Sequence, residues 1–209
     1  MKKALFIIVT AVLSSSTMAQ SDQERGHPTN GGLYFSISGG GAYLSINDDI
    51  TNGPYSTMEM KGFGVGFDLK LGAAIKENFI LHGDLIGTSS GSINVTVDGD
   101  EIGTISGDNS VGTTIFGGGA TYYFMPQNIF ISGTLGVGGF SITTDGETGN
   151  TQKGFGMYMK VGKEWWISKN WDLGFCFAVS YLNVNNETEN MTEKLSGVTV
   201  GLSFNVTFN

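Results

Sequence analysis

The chain has 209 residues, with 19 acidic against 11 basic side chains and a formal net charge of −8. That acidity excludes a nucleic-acid footprint, which needs clustered Lys and Arg. The single cysteine, Cys176, excludes an internal disulfide framework, so packing and hydrogen bonds must hold the fold.

The chain opens on Lys2 and Lys3, continues through an apolar run from Ala4 to Leu13, and reaches Thr17-Met18-Ala19 before Gln20. A basic start, a short apolar stretch and a small-x-small site predict a secretory signal peptide over residues 1–19. A membrane-spanning helix would need about twenty apolar residues, and no stretch of this chain approaches that. Residues 20–31, QSDQERGHPTNG, read as a short polar tail on the periplasmic side. From residue 32 to 209 the apolar residues recur with a period of two, the signature of strands with two unlike faces. The 33 glycines sit inside these runs without a collagen period, as in tightly curved sheet.

The first predicted strand runs from about Leu33 to Ile46, with Leu33, Phe35, Ile37 and Tyr43 on one face and Tyr34, Ser36 and Ser38 on the other. A polar connection, 47–59, leads to a second strand over about 60–75. There Phe63, Val65, Phe67, Leu69, Leu71, Ala73 and Ile75 oppose Gly62, Gly64, Gly66, Asp68, Lys70 and Gly72. After the tight turn 76–78 a third strand starts at Phe79 and sets Leu81 and Leu85 against His82 and Asp84. The Gly/Ser/Asp-rich segment 88–109 follows, and its inner part, 92–105, has β character of its own. A fourth strand ends at Phe124, the turn 125–128 intervenes, and a fifth sets Ile131, Leu135 and Val137 against Ser132, Thr134 and Gly136. Beyond the connection 143–153, two strands flank Ser168-Lys169-Asn170. One presents Met157, Met159, Val161, Trp165 and Ile167 on one face and Lys160, Gly162 and Glu164 on the other. Its partner sets Trp171, Leu173, Phe175, Phe177, Val179 and Tyr181 against Asp172, Gly174, Cys176, Ala178 and Ser180. The acidic segment 185–194 precedes the last strand, where Val198, Val200, Leu202, Phe204, Val206 and Phe208 alternate with Thr199, Gly201, Ser203, Asn205 and Thr207.

Eight strands whose connections alternate between long and short predict an all-β fold. Specifically, this is an eight-stranded antiparallel up-and-down transmembrane β-barrel with short periplasmic turns and long extracellular loops. Polarity decides which face meets what. Eight such strands carry too many large residues for one narrow lumen, so these face lipid and the small and charged ones face inward. That orientation puts Phe79, Phe124, Trp165, Trp171 and Phe208 near the short turns, where an interfacial aromatic girdle belongs. A closed barrel also satisfies every backbone group, which an open sheet in lipid does not.

The segments TYYFMPQN (121–128), GKEWWISKNW (162–171) and GLSFNVTFN (201–209) resemble the small bacterial outer-membrane β-barrels of the OmpA/OmpX type. The likeness covers the chain from about residue 32 onward. It implies an outer-membrane location in a Gram-negative bacterium, contact with outer-membrane lipid and lipopolysaccharide, assembly by the barrel-insertion machinery, and no enzymatic activity. Members of that family commonly finish on an aromatic residue; here Phe208 is followed by Asn209.

Six inward side chains form the candidate site: Asp68, Lys70, His82, Asp84, Lys160 and Glu164. Placing Ile75 opposite Phe79 across the short turn sets Lys70 directly against Asp84. Counting upward from the turns, His82 and Glu164 lie low, Lys70 and Asp84 above them, and Asp68 and Lys160 higher still. Such a set either fills the lumen as a satisfied polar core or gates a narrow path for water, ions or small solutes. Tyr123, Phe130, Tyr158 and Trp166 also point inward and favour a filled lumen. The two histidines, His27 in the tail and His82 near the periplasmic end, do not assemble a catalytic set, and Cys176 with one inward His is no zinc site. No cofactor is expected. The connections carry twelve acids against Lys153 and Lys194, and the extracellular partner of that acidic surface is left unspecified by the sequence. A secreted soluble barrel with a ligand inside is the remaining alternative.

Overall fold

The computed structural model describes residues 32–208 apart from 52, 54, 189 and 190. The signal peptide expected over 1–19, the tail over 20–31 and Asn209 lie outside the described residues. Ten strands follow one another: β1 (Leu33–Thr51), β2 (Thr57–Lys76), β3 (Phe79–Val97), β4 (Asp100–Ile105), β5 (Ser110–Phe124), β6 (Ile129–Thr144), β7 (Glu147–Asn150), β8 (Gly154–Trp166), β9 (Trp171–Thr188) and β10 (Met191–Phe208). Eight of them close a ring of antiparallel neighbours, β1-β2-β3-β5-β6-β8-β9-β10, with Phe35 opposite Phe208 where β10 returns to β1. The short β4 and β7 stand off the ring, paired to the upper parts of β3 and β6.

The connections predicted as long loops are largely β-ribbon. β1 and β2 stay paired up to Asp49 opposite Thr57, and β9 and β10 up to Thr188 opposite Met191. In the other two connections, which return through β4 and β7, the reason is local turn chemistry. Asp98 (φ 50°) with Gly99 (φ 92°), and Asp145 (φ 52°) with Gly146 (φ 82°), make two-residue turns with both φ values positive. Their twist matches that of paired strands, so they continue a hairpin instead of opening a loop. At the opposite end, Asn78 and Asn128 take φ values of 60° and 53°, the left-handed conformation that asparagine tolerates in tight turns. The first short turn also corrects the predicted register. Lys76, not Ile75, stands opposite Phe79, and an irregularity between Ala74 and Lys76 absorbs the extra residue. Above it the pairing is as expected, with Lys70 opposite Asp84.

The lower barrel is apolar outside. Phe63, Leu71, Phe116, Leu135 and Phe204 are each more than half exposed on that outer surface. In water this belt would be untenable as a monomer surface; around a closed barrel it is a lipid-facing band. Phe124 and Trp171 stand at its lower edge, Trp171 in edge-on contact with Phe208 (5.2 Å between ring centroids). The polarity is thus that of a membrane barrel, opposite to that of a soluble barrel with an apolar cavity.

Higher up, the pattern inverts. On β1 the inward residues change from Ser36 and Ser38 to Leu44 and Ile46, while the outward ones change from Phe35 and Ile37 to Ser45 and Asn47. Leu44, Ile46, Met60, Ile93, Val95, Phe140, Leu182, Val184 and Leu195 belong to a buried apolar core inside the upper barrel. The interior expected to be polar throughout is therefore apolar in its upper level. Strands of up to 20 residues, at about 3.3 Å per residue and a tilt near 40°, rise about 50 Å, twice the ~25 Å of a lipid-facing band. The upper half stands in water and is packed as a soluble protein is.

Candidate functional site: the barrel interior and its mouth

Side chains on β2, β3, β6 and β8 meet at mid-barrel because each strand places every second residue inside. Lys160 on β8 spans the lumen to β2. Its Nζ donates to Asp68 Oδ1 at 2.9 Å, to Oδ2 at 3.0 Å and to Ser38 Oγ on β1 at 2.7 Å. The Tyr158 hydroxyl donates to the same carboxylate at 3.0 Å. Lys70 faces Asp84 at 3.4 Å and donates to Ser132 Oγ on β6, while Thr134 donates to Asp84 Oδ2 at 2.7 Å. All four charged groups are at most 3% exposed. Burying ions is costly unless they are paired and hydrogen-bonded, and both conditions are met here.

His82 lies one level lower, 3.0 Å from Thr121 Oγ1, which in turn donates to Ser132 Oγ. Its ring fits because Gly119 has no side chain; a Cβ there would come within 2.8 Å of His82 Cε1. Glu164 is set apart from the other five. It lies fully buried near the periplasmic end and accepts from Asn205 Nδ2 and from Thr207 Oγ1. No Lys, Arg or His lies within ion-pair distance of it among the described residues. The structure therefore brings together Asp68, Lys70, His82, Asp84 and Lys160, and gives Glu164 a separate floor of neutral donors. Gly174 makes that floor possible, since a Cβ there would lie 2.7 Å from Glu164 Cγ.

Two apolar layers bracket the charges. Below, Tyr34, Ile80, Tyr123, Phe130 and Cys176 form a buried cluster, with the two tyrosine hydroxyls 3.3 Å apart. Above lies the apolar core headed by Phe140 and Leu182. Between the ion pairs and this core is a cavity of about 30 Å³ lined by Asp68, Thr88, Tyr158, Ser180, Thr199 and Ser203 among others. At roughly 10–15 Å³ per water it holds two or three molecules with ample polar partners.

The girdle residues Phe79, Phe124, Trp165, Trp171 and Phe208 all sit on outward positions at the short-turn end. Lys163, unremarked in the sequence, packs beside Trp165 with Nζ 5.8 Å from the ring centroid.

Sequence reasoning also missed Asp48, counting it among hydrated loop acids. It points inward at the top of the apolar core and is only 4% exposed. Burial, and after it the repulsion of Glu193 and Asp49, pushes its carboxyl up to about 6. An alternation carried through Leu44, Ile46, Asp48 and Ile50 was the available signal.

No protein-family model matches the chain, and no curated protein matches it. Solved structures share the fold. Neisserial surface protein A superposes with a TM-score of 0.55 at 14% identity, covering 85% of this chain and 98% of the other. OprG of Pseudomonas aeruginosa gives 0.49 at 13% identity over 87% and 98%, and Ail of Yersinia pestis 0.41 at 14% over 84% and 99%. At such identities the likeness is one of fold: the chain is built as a small eight-stranded outer-membrane β-barrel.

Proposed function

We propose that this barrel resides in the outer membrane as a non-enzymatic protein with a structural and surface-interaction role, its lumen closed to ions. The observation that carries this is the double closure of the interior. The Tyr34–Tyr123–Phe130 layer lies below the charges and the Phe140–Leu182 core above them. The five mid-barrel groups, with Glu164 on its own floor, then serve as a polar core whose ion pairs and hydrogen bonds cross-link β1, β2, β3, β6, β8 and β10. The outward aromatics near the short turns act as anchors at the lipid interface. The upper ribbons, acidic and standing in water, form the surface offered to partners. Insertion by the barrel-assembly machinery and contact with lipopolysaccharide belong to the same proposal. His82 supports the non-enzymatic assignment, being 6% exposed and sealed from both mouths by these layers.

A narrow pore is the second reading, favoured by the polar cavity beside Asp68 and Tyr158. Planar-bilayer recording of the refolded full-length mature chain separates the two. The expected result is no stable conductance; large, long-lived currents from the wild-type protein would overturn the closed-lumen proposal.

A further inference from the structure

At the mouth, above the apolar core, two carboxylates stand close together on one face. Asp48 on β1 stands opposite Leu195 on β10, and Glu193 lies two residues from Leu195, on the same inward face. Asp48 and Glu193 are therefore diagonal cross-strand neighbours, a spacing that long side chains bridge. Glu193 Oε2 accepts from Asn186 Nδ2 at 2.8 Å. Asp48 Oδ1 is buried with no hydrogen-bond partner among the described residues. No Lys, Arg or His comes within ion-pair distance of either carboxylate among the described residues. Ile50 N donates to Ser56 O at 2.9 Å. Tyr55 lies near the pair: partial burial first, then the charges of Asp48 and Glu193, hold its phenol above its ordinary value.

A buried carboxylate with an orphaned oxygen is costly, and a second carboxylate beside it adds repulsion. Asp48 is flanked by apolar partners, Leu195 on β10 and Met58 on β2, both part of or packed against the upper core. An arrangement of this kind is completed by a positive charge entering from the water above. No third Asp, Glu, His or Cys joins the pair into a self-sufficient metal cage among the described residues. Magnesium does not need one, because it keeps several waters and binds through one or two carboxylates, and calcium can fill its larger shell with waters and carbonyl oxygens beside the two carboxylates.

We propose that Asp48 and Glu193 form a divalent-cation site at the extracellular mouth, taking Mg²⁺ or Ca²⁺ with part of its water shell. The ion clamps β1 to β10 above the membrane and neutralises the top of the apolar core. The site is independent of whether the lumen conducts.

The test uses the full-length mature chain, refolded in a zwitterionic detergent free of lipopolysaccharide. Calcium titration by calorimetry is expected to give one saturable site with Kd in the range of about 0.1–1 mM, as for weak extracellular calcium sites. Terbium is the second probe. Tyr55 is placed to sensitise its luminescence, which calcium then quenches by competition. Asp48→Asn and Glu193→Gln should each weaken calcium binding at least about tenfold and remove the terbium signal. Glu101→Gln and Asp108→Asn, on the neighbouring ribbon, should leave both unchanged, and Tyr55→Phe should remove the luminescence while leaving the calcium affinity intact. Far-UV circular dichroism and the heat-dependent gel shift of folded barrels establish that each variant is folded. Non-saturable heats in the wild type would overturn the proposal. So would calcium binding undiminished in folded Asp48→Asn, or an effect reproduced by sodium chloride at equal ionic strength.

Discussion

Replacing Lys160 by methionine tests the mid-barrel ion pairs most directly. Methionine keeps the length and apolar stem of the side chain but removes the ammonium, and with it three hydrogen bonds, two to Asp68 and one to Ser38. Asp68, 1% exposed, is left with Tyr158 as its one hydrogen-bond donor and Lys70 as the nearby positive charge. Stranding a buried charge in this way costs about 3–5 kcal/mol, or roughly two to nearly four orders of magnitude in the folding equilibrium. The measurement is reversible urea unfolding in phospholipid vesicles, followed by tryptophan fluorescence. A double-mutant cycle with Asp68→Asn should recover about 2–3 kcal/mol as coupling, because the amide no longer needs the ammonium. A cost below about 1 kcal/mol, or one that persists unchanged beside Asp68→Asn, would refute the reasoning, since Asp68 would then be hydrated. A hydrated Asp68 would in turn favour the pore.

Other substitutions probe the two halves separately. Phe140→Ala, at a position 2% exposed in the upper core, should cost about 3–5 kcal/mol in the same unfolding assay. Phe63→Ala, at a site 78% exposed on the outer belt, should cost clearly less, and equal losses would contradict the placement of the core. Leu71→Arg, facing lipid, should destabilise by up to about 2–4 kcal/mol in bilayers; a neutral result would move the membrane off this belt. For Asp48, whose carboxyl is pushed up to about 6, the folded protein holds its proton more tightly than the unfolded chain. Stability should therefore fall as pH rises from about 4 to 6 and stay lowered above that. In chelator, Asp48→Asn should flatten this part of the pH profile, and an unchanged profile would show that other groups set it.

Much of the fold was legible because one period runs almost unbroken through the chain. The dyad from Phe63 to Ile75 alone assigns lipid and lumen faces, and pairing Lys70 with Asp84 needed only the turn at 76–78 and the antiparallel rule. The absorbed residue at Ile75 went unseen because such irregularities leave no compositional trace. The upper half was less legible for a physical reason. Above the membrane the alternation keeps its period but reverses its sense, so Leu44 and Ile46 looked like the end of a strand and Asp48 like the start of a loop. Asp98-Gly99 and Asp145-Gly146 carried the missing signal, since such dipeptides favour continuing hairpins. Glu164 was grouped with the other charges because it shares their inward face. Its separation depends on Asn205 and Thr207, two strands away around the ring, which periodicity does not rank.

The reversal of polarity part-way up the long strands also fixes a draught line on the hull. Sinking the barrel deeper would press Ser45, Asn47 and Asp49 into hydrocarbon, and raising it would strip Phe63 and Phe204 of lipid. Either displacement is opposed by many side chains at once, around the whole circumference. The barrel thus gauges its own immersion, and the acidic ribbons are held at a set height above the lipid whatever they meet there.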